Sequence, residues 1–242
     1  MNSLPPPPPA LLDGASLFLD FDGTLVDFVI DPAKARVDAR LLNLLRVLWH
    51  QLDARLAILS GRSLDDLTAR LDLDGIAMAG SHGLERRSSN GTVIRFPIPP
   101  ALAIATRAAR SFAEANDLLL ERKAAGVALH FRDAQHAEAA VDAFARTLAN
   151  DTGLELQSGK CVRELKVPGA DKGDAVRAYM AEPPFTLGRP VVVGDDLTDE
   201  HAFTAATALG GSAILVGEVR PTAAQFRLPS VAATLAWLSS GL

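Results

Sequence analysis

Cysteine is almost absent: Cys161 is alone among 242 residues, so no intramolecular disulfide can form and the chain suits a reducing cytoplasm. Basic residues are outnumbered, with 24 Lys and Arg against 29 Asp and Glu for a net charge of −5. That balance withholds the basic footprint needed for nucleic acid or an anionic membrane. No apolar run approaches the ~20 residues of a membrane span, and Met1–Pro9 has neither the basic nor the apolar region of an export signal. No repeat of fixed period is visible. What is there is an ordinary globular composition, 48% hydrophobic and 22% charged, enough for one large or two small domains acting on a small molecule. The oligomeric state stays open. The proline run Pro5–Pro9 reads as a stiff polyproline II arm, and residues 1–12 as a solvated tail.

Short apolar runs alternate with helical patterns. Ser16–Phe21, Arg55–Leu59, Ile76–Ala79, Val191–Val193 and Ala213–Val216 read as buried strands. Between them, Leu41, Leu44, Leu45 and Leu48 repeat at helical spacing and Ser63–Leu71 forms a second helix. This order predicts a Rossmann-like, doubly wound, mostly parallel α/β sheet. The middle of the chain differs: two helices, Ala101–Asn116 and Ala134–Asn150, alternate with strands Leu118–Lys123, Gly126–Arg132, Leu154–Ser158 and Cys161–Lys166. Prolines and glycine bound this stretch, at Pro97–Pro100 and Pro168–Gly169. The expected organisation is a catalytic core of residues 13–99 and 168–242 interrupted by an α+β cap, 100–167.

Four places in this pattern carry chemistry. Asp20 and Asp22 close the first strand before Gly23, where a turn can re-aim the second carboxylate toward the first. A polar turn is the plain alternative, but acids ending an apolar run lose hydration that something must offset. After Val191–Val193, Asp195, Asp196, Asp199 and Glu200 crowd four acids into six residues, and mutual repulsion calls for a cation. Mg²⁺ suits such oxygen ligands. Glu200 reads instead as a helix-start acid. Ser60, after the second core strand, and Lys172, before a helix, are a hydroxyl donor and a cation that can hold phosphoryl oxygens together. Singly, each reads as a cap or a solvated residue.

These four blocks, in this order, resemble the haloacid dehalogenase (HAD) superfamily of phosphohydrolases. A closer resemblance is to the trehalose-6-phosphate phosphatase family, carried by Asp20–Leu25 (DFDGTL), Leu59–Arg62 (LSGR), Gly80–Gly83 (GSHG), Glu121–Lys123 (ERK), His130–Arg132 (HFR), Gly159–Glu164 (GKCVRE), Lys172–Gly173 and Gly194–Glu200 (GDDLTDE). The match runs from about Asp20 to Leu242. Where the family pattern commonly has tyrosine, this chain has Phe131, expected to point outward at little loss.

The resemblance implies an Mg²⁺-dependent phosphomonoesterase acting on trehalose 6-phosphate in the cytoplasm. It implies Asp20 as nucleophile and Asp22 as acid and base, with Ser60 and Lys172 clamping the phosphoryl group. The metal falls to Asp20, the Asp22 carbonyl and Asp195, with Asp196 and Asp199 orienting its waters. Strand alternation separately puts Glu121 with Lys123, His130 with Arg132, and Glu164 with Lys166 on shared faces, which reads equally as a solvated sheet face. The resemblance assigns Glu121, Lys123 and Glu164 to the sugar, and adds Arg132, Arg62 and His82 as substrate contacts. For Arg62 a helix-capping role and for His82 a tight turn stand as alternatives. Two rivals remain, a phosphatase for another sugar phosphate such as sucrose phosphate or a hexose phosphate, and a non-catalytic phosphosugar sensor. A sensor needs neither nucleophile nor acid.

Overall fold

A computed structural model describes residues 4–27, 37–123, 125–159, 161–169 and 171–241. Met1–Ser3 of the tail and Lys160 of the GKCVRE motif lie outside the described residues. The chain divides into two compact units, Met1–Arg95 with Ala170–Leu242, and Phe96–Gly169.

The first unit opens with β1 (Ala15–Asp20), all six of its residues buried, which is why the run shows no polar alternation. α1 (Ala39–Gln51), β2 (Leu56–Leu59), α2 (Leu64–Leu71) and β3 (Ala77–Gly80) follow, then a short hairpin of β4 (Glu85–Arg87) and β5 (Val93–Arg95). Both helices start where a side chain accepts from an otherwise unpaired N–H, Asp38 from Leu41 and Ser63 from Asp66. The second unit consists of α3 (Pro100–Ala115), β6 (Leu119–Lys123), β7 (Gly126–His130), α4 (Glu138–Thr152), β8 (Glu155–Gly159) and β9 (Val162–Lys166). Back in the first unit come α5 (Lys172–Met180), β10 (Arg189–Gly194), α6 (Glu200–Ala208), β11 (Ser212–Val216), β12 (Phe226–Leu228) and α7 (Val231–Ser240).

Among the described residues, the eight strands of the first unit run β12-β11-β10-β1-β2-β3-β4-β5. All pairings from β12 to β3 are parallel, and β4 and β5 finish the sheet antiparallel. Strands β2 and β3 wind outward on one side of β1, β11 and β12 on the other side of β10, so a crevice opens at the carboxyl ends of β1 and β10. Alternation along β1 feeds two apolar layers: Leu17 and Leu19 join Leu45, Ile58 and Leu67 on one face, while Phe18 joins Val176, Tyr179 and Phe203 on the other. No described helix is long and apolar enough to cross a membrane.

The proline tail is only partly the solvated arm expected: Pro5, Pro6, Pro8 and Pro9 are exposed, but other residues pack on the unit. Leu4 packs against the second apolar layer, Pro7 is buried, and Pro9–Leu12 turns into a short 3-10 helix that buries Leu12. The Arg227 N–H on β12 donates to the Pro5 carbonyl at 3.0 Å. A proline run has no N–H to offer a further strand, so it covers the end of the sheet without inviting another chain.

In the second unit the sheet order is β6-β7-β9-β8, antiparallel throughout. Phe112 of α3 and Phe144 of α4 stack with ring centroids 4.1 Å apart, and Val127, Leu129 and Leu165 are buried. Two details correct the sequence reading. Strand β7 stops at His130, because the chain turns at Phe131–Ala134, closed by an Ala134 N–H to Phe131 C=O bond of 3.1 Å. Phe131 points inward: it is 2% exposed, with the Arg163 guanidinium 5.2 Å from its ring centroid, an apolar and cation–π setting in which a phenol hydroxyl is not required.

Candidate active site

Asp20 ends β1 with its carboxylate buried, and Lys172 donates to Asp20 Oδ1 and to Asp199 Oδ1, each at 2.6 Å. Lys172 is the first residue of α5, where the helix dipole disfavours a cation. A capping box between Asp171 and Asp174 starts the helix there nonetheless, and the two buried carboxylates hold the ammonium. The second oxygen of Asp199 accepts the N–H groups of Asp195 and Asp196, both at 3.0 Å. The turn after β1 needs its glycine: Gly23 has φ +87°, and a Cβ there would stand 2.1 Å from Asp195 Oδ2. Glycine therefore lets the Asp195 carboxylate pack directly on that turn.

Carboxylate oxygens of Asp20, Asp195 and Asp199 lie within 4.8 Å of one another, with Lys172 as the cation bonded among them. Burial first, and then Asp199 and Asp195, push Asp20 well above the usual carboxylate range despite Lys172. Burial and then Asp199 raise Asp195 to about 6. Burial works against the charge of Lys172, but Asp199 and Asp20 outweigh it and keep the ammonium protonated beyond its ordinary range. Both carboxyl shifts disfavour the charged carboxylates, and a further cation beside them would offset that. The donors are hard oxygens, which fits a divalent ion such as Mg²⁺. Asp199 has both oxygens engaged, so Asp20 and Asp195 are the ligands this arrangement offers. Asp196 is outside the cluster: its carboxylate accepts from the Leu197 N–H at 2.7 Å and caps the turn that leads into α6.

Asp22 does not share the partners of Asp20. Both of its oxygens accept from Arg62, Nε and Nη2, at 2.6 Å each. Arg62 also donates to Asp66 at 2.9 Å, and its pKa stands above the ordinary value, burial being outweighed by its bonds to Asp22 and Asp66. Ser60 is buried at the end of β2, with its Oγ accepting the Arg62 N–H at 3.1 Å. His82, at φ +58°, sits in the turn after β3 with its ring against Gly61 and its N–H on the Ser60 carbonyl at 2.9 Å. The carboxyl ends of β1, β2, β3 and β10 thus carry Asp20, Ser60, His82 and Asp195, in neighbouring loops.

Sequence reasoning passed over Glu85, which braces this end of the sheet. It accepts from the Leu64 N–H at 2.9 Å and the Ser81 hydroxyl at 2.8 Å, joining the loops after β2 and β3. The signal available was a lone acid beside Arg86 and Arg87, indistinguishable from a solvated strand.

The second unit gathers its polar residues by register. Glu121, Ala128, Glu164 and Gln157 lie opposite one another in a single row across the four strands, and Lys123, Gly126, Lys166 and Glu155 form the next. Directly opposed residues share a face. Lys123 bonds Glu164 at 2.5 Å and His130 bonds Glu121 at 2.9 Å; the His130 bond, with Lys123 nearby, keeps Glu121 below the usual carboxylate range. Arg132 stands apart. It lies beyond the end of β7, exposed, so it does not share the strand face of His130.

The trehalose-phosphatase family matches residues 18–232 of this chain. The chain is 38% identical over 224 residues to trehalose-6-phosphate phosphatase of Escherichia coli (strain K12), covering 91% of this chain and 84% of that one. A solved structure of a trehalose-6-phosphate phosphatase related protein superposes with a TM-score of 0.74 at 31% identity, over 93% of this chain and 95% of the other. A HAD-superfamily phosphatase from Bacteroides thetaiotaomicron shares the fold, with a TM-score of 0.62 at 18% identity over 92% of each chain. An apolar strand ending in Asp20, a lysine bonded to that aspartate and an acid loop beside it are set in a HAD fold, and with these likenesses the chain belongs to the trehalose-phosphatase family.

Proposed function

We propose that this chain is an Mg²⁺-dependent phosphatase of the cytoplasm that releases trehalose and phosphate from trehalose 6-phosphate. The observation that carries the reading is the buried Asp20–Lys172–Asp199 chain of 2.6 Å bonds beside Asp195. Asp20 and Asp195 would hold the ion, together with the Asp22 carbonyl. When bound, Mg²⁺ supplies positive charge that offsets repulsion between an anionic nucleophile and a phosphate dianion. Asp20 forms the new bond to phosphorus while the sugar oxygen departs, giving an aspartyl-phosphate. Lys172 and Ser60 hold phosphoryl oxygens, and Asp199 acts through Lys172 and the loop amides. In the arrangement seen, both oxygens of Asp22 accept from Arg62, so neither is free to face the leaving group. An arriving phosphate competes for the same guanidinium. Asp22, released from Arg62, takes up a proton from solvent, gives it to the departing oxygen and then takes a proton from the water that hydrolyses the acyl phosphate. Glu121, Lys123 and Glu164 take the sugar, with carboxylates accepting from its hydroxyls and lysine donating; His82 and Arg132 complete the contacts.

The test is chemical trapping. Asp22→Asn keeps the nucleophile and slows release, so acid-quenched protein should carry one phosphate on the peptide containing Asp20, while Asp20→Asn carries none and turns over nothing. Parent-like turnover by Asp20→Asn would end the assignment.

A further inference from the structure

The acid loop after β10 is gripped from two sides. On one, Asp199 takes the N–H groups of Asp195 and Asp196. On the other, Arg220, in the loop between β11 and β12, donates Nη2 to the carbonyl of Asp196 at 2.7 Å and to that of Asp195 at 3.3 Å. The peptide joining Asp195 to Asp196 is therefore bonded at both ends, its C=O to Arg220 and its N–H to Asp199. Glu200, in the first turn of α6, pairs with the same guanidinium, and its other oxygen accepts the Ala223 N–H at 2.8 Å. A further Arg220 bond, Nη1 to the Pro221 carbonyl at 3.2 Å, closes the bracket. The two side chains are only 21% and 23% exposed, so this is a desolvated clamp, not a flexible surface pair.

We propose that Arg220, locked by Glu200, is a positioning residue for the divalent-cation site: by fixing the peptide plane after Asp195 it sets the direction in which the Asp195 carboxylate meets Asp20. The inference rests on the reading above that Asp20 and Asp195 hold a divalent ion. Arginine suits the task because one nitrogen of its planar fork reaches the two acid-loop carbonyls while the other pairs with Glu200, whereas lysine offers a point charge without that geometry. Residues that orient ligands without touching the metal commonly govern affinity by about 10–100-fold. A residue that only held the fold together would instead lower the melting temperature and leave metal affinity alone.

The experiment titrates Mg²⁺ into the intact chain by calorimetry, for the parent, Arg220→Ala and Arg220→Lys. Melting temperatures in chelator, and kcat at saturating Mg²⁺, are measured alongside. Arg220→Ala should weaken Mg²⁺ binding about 10–100-fold, Arg220→Lys by less, and kcat at saturating Mg²⁺ should stay close to the parent in both. A folded Arg220→Ala that binds Mg²⁺ as tightly as the parent overturns the proposal. Should Arg220→Ala fail to fold, unchanged affinity in Arg220→Lys overturns it equally. A parent that shows no Mg²⁺ binding and works undiminished in chelator would overturn the metal reading itself, and this inference with it.

Discussion

Replacing Lys172 by Met keeps most of the stem and removes the charge. Asp20 and Asp199 are then left 5% and 1% exposed without the ammonium that bonds both at 2.6 Å. Removing one partner from a buried pair costs about 3–5 kcal/mol, and for a chain of this size each kcal/mol lowers the melting temperature by roughly 2–4 °C. The expected loss in chelator is thus about 6–20 °C near pH 8. It shrinks toward pH 5, because Asp20, already raised by burial and its acidic neighbours, accepts a proton in place of the missing cation. Mg²⁺ recovers part of the stability but none of the turnover, since the phosphoryl clamp is gone. The assay is a thermal melt at both pH values, with and without chelator, beside phosphate release. A Lys172→Met protein that melts with the parent near pH 8 in chelator would refute the claim that this lysine neutralises the cluster.

Gly23→Ala should cost about 10²-fold in kcat on every substrate, because φ +87° is strained for alanine and its Cβ falls 2.1 Å from Asp195 Oδ2; steady-state rates near the parent would contradict this. Single substitution of Glu121, Lys123 or Glu164 by Ala should lower kcat/KM for trehalose 6-phosphate by about one to two decades, taking ~1.5–3 kcal/mol for a charged hydrogen bond. Hydrolysis of p-nitrophenyl phosphate should hardly change; equal loss on both substrates would point to damaged folding. Stability in chelator should fall as pH rises through about 6, where Asp195 loses its proton: a carboxyl raised in the folded state favours folding while protonated, and that contribution disappears above its folded pKa. The gain in melting temperature on adding Mg²⁺ should therefore be larger near pH 8 than near pH 5. Equal gains at the two pH values would remove Asp195 from the ion's ligands.

The strands that position the site were legible because they are short apolar runs ending abruptly in functional residues, as Leu17–Leu19 before Asp20 and Val191–Val193 before Asp195. Hairpin β4–β5 was not, since Glu85-Arg86-Arg87 is wholly charged and Val93-Ile94-Arg95 is only three residues long with every residue exposed. Pairings between distant charges were equally hidden. Arg62 is separated from Asp22 by 40 positions and Arg220 from Asp195 by 25, and nothing local distinguishes either arginine from a solvated one. The polar row of Glu121, Glu164 and Gln157 needs strand register, which alternation within each strand foreshadows without fixing which strands adjoin.

The central claim is that Asp20 and its neighbours hydrolyse trehalose 6-phosphate with a divalent ion. Its most direct test is phosphate release by the intact chain from trehalose 6-phosphate, sucrose 6-phosphate, glucose 6-phosphate and p-nitrophenyl phosphate, in Mg²⁺ and in chelator. The account predicts the highest kcat/KM on trehalose 6-phosphate, abolished by chelator and restored by Mg²⁺. Preference for another sugar phosphate, or turnover that persists in chelator, would contradict it.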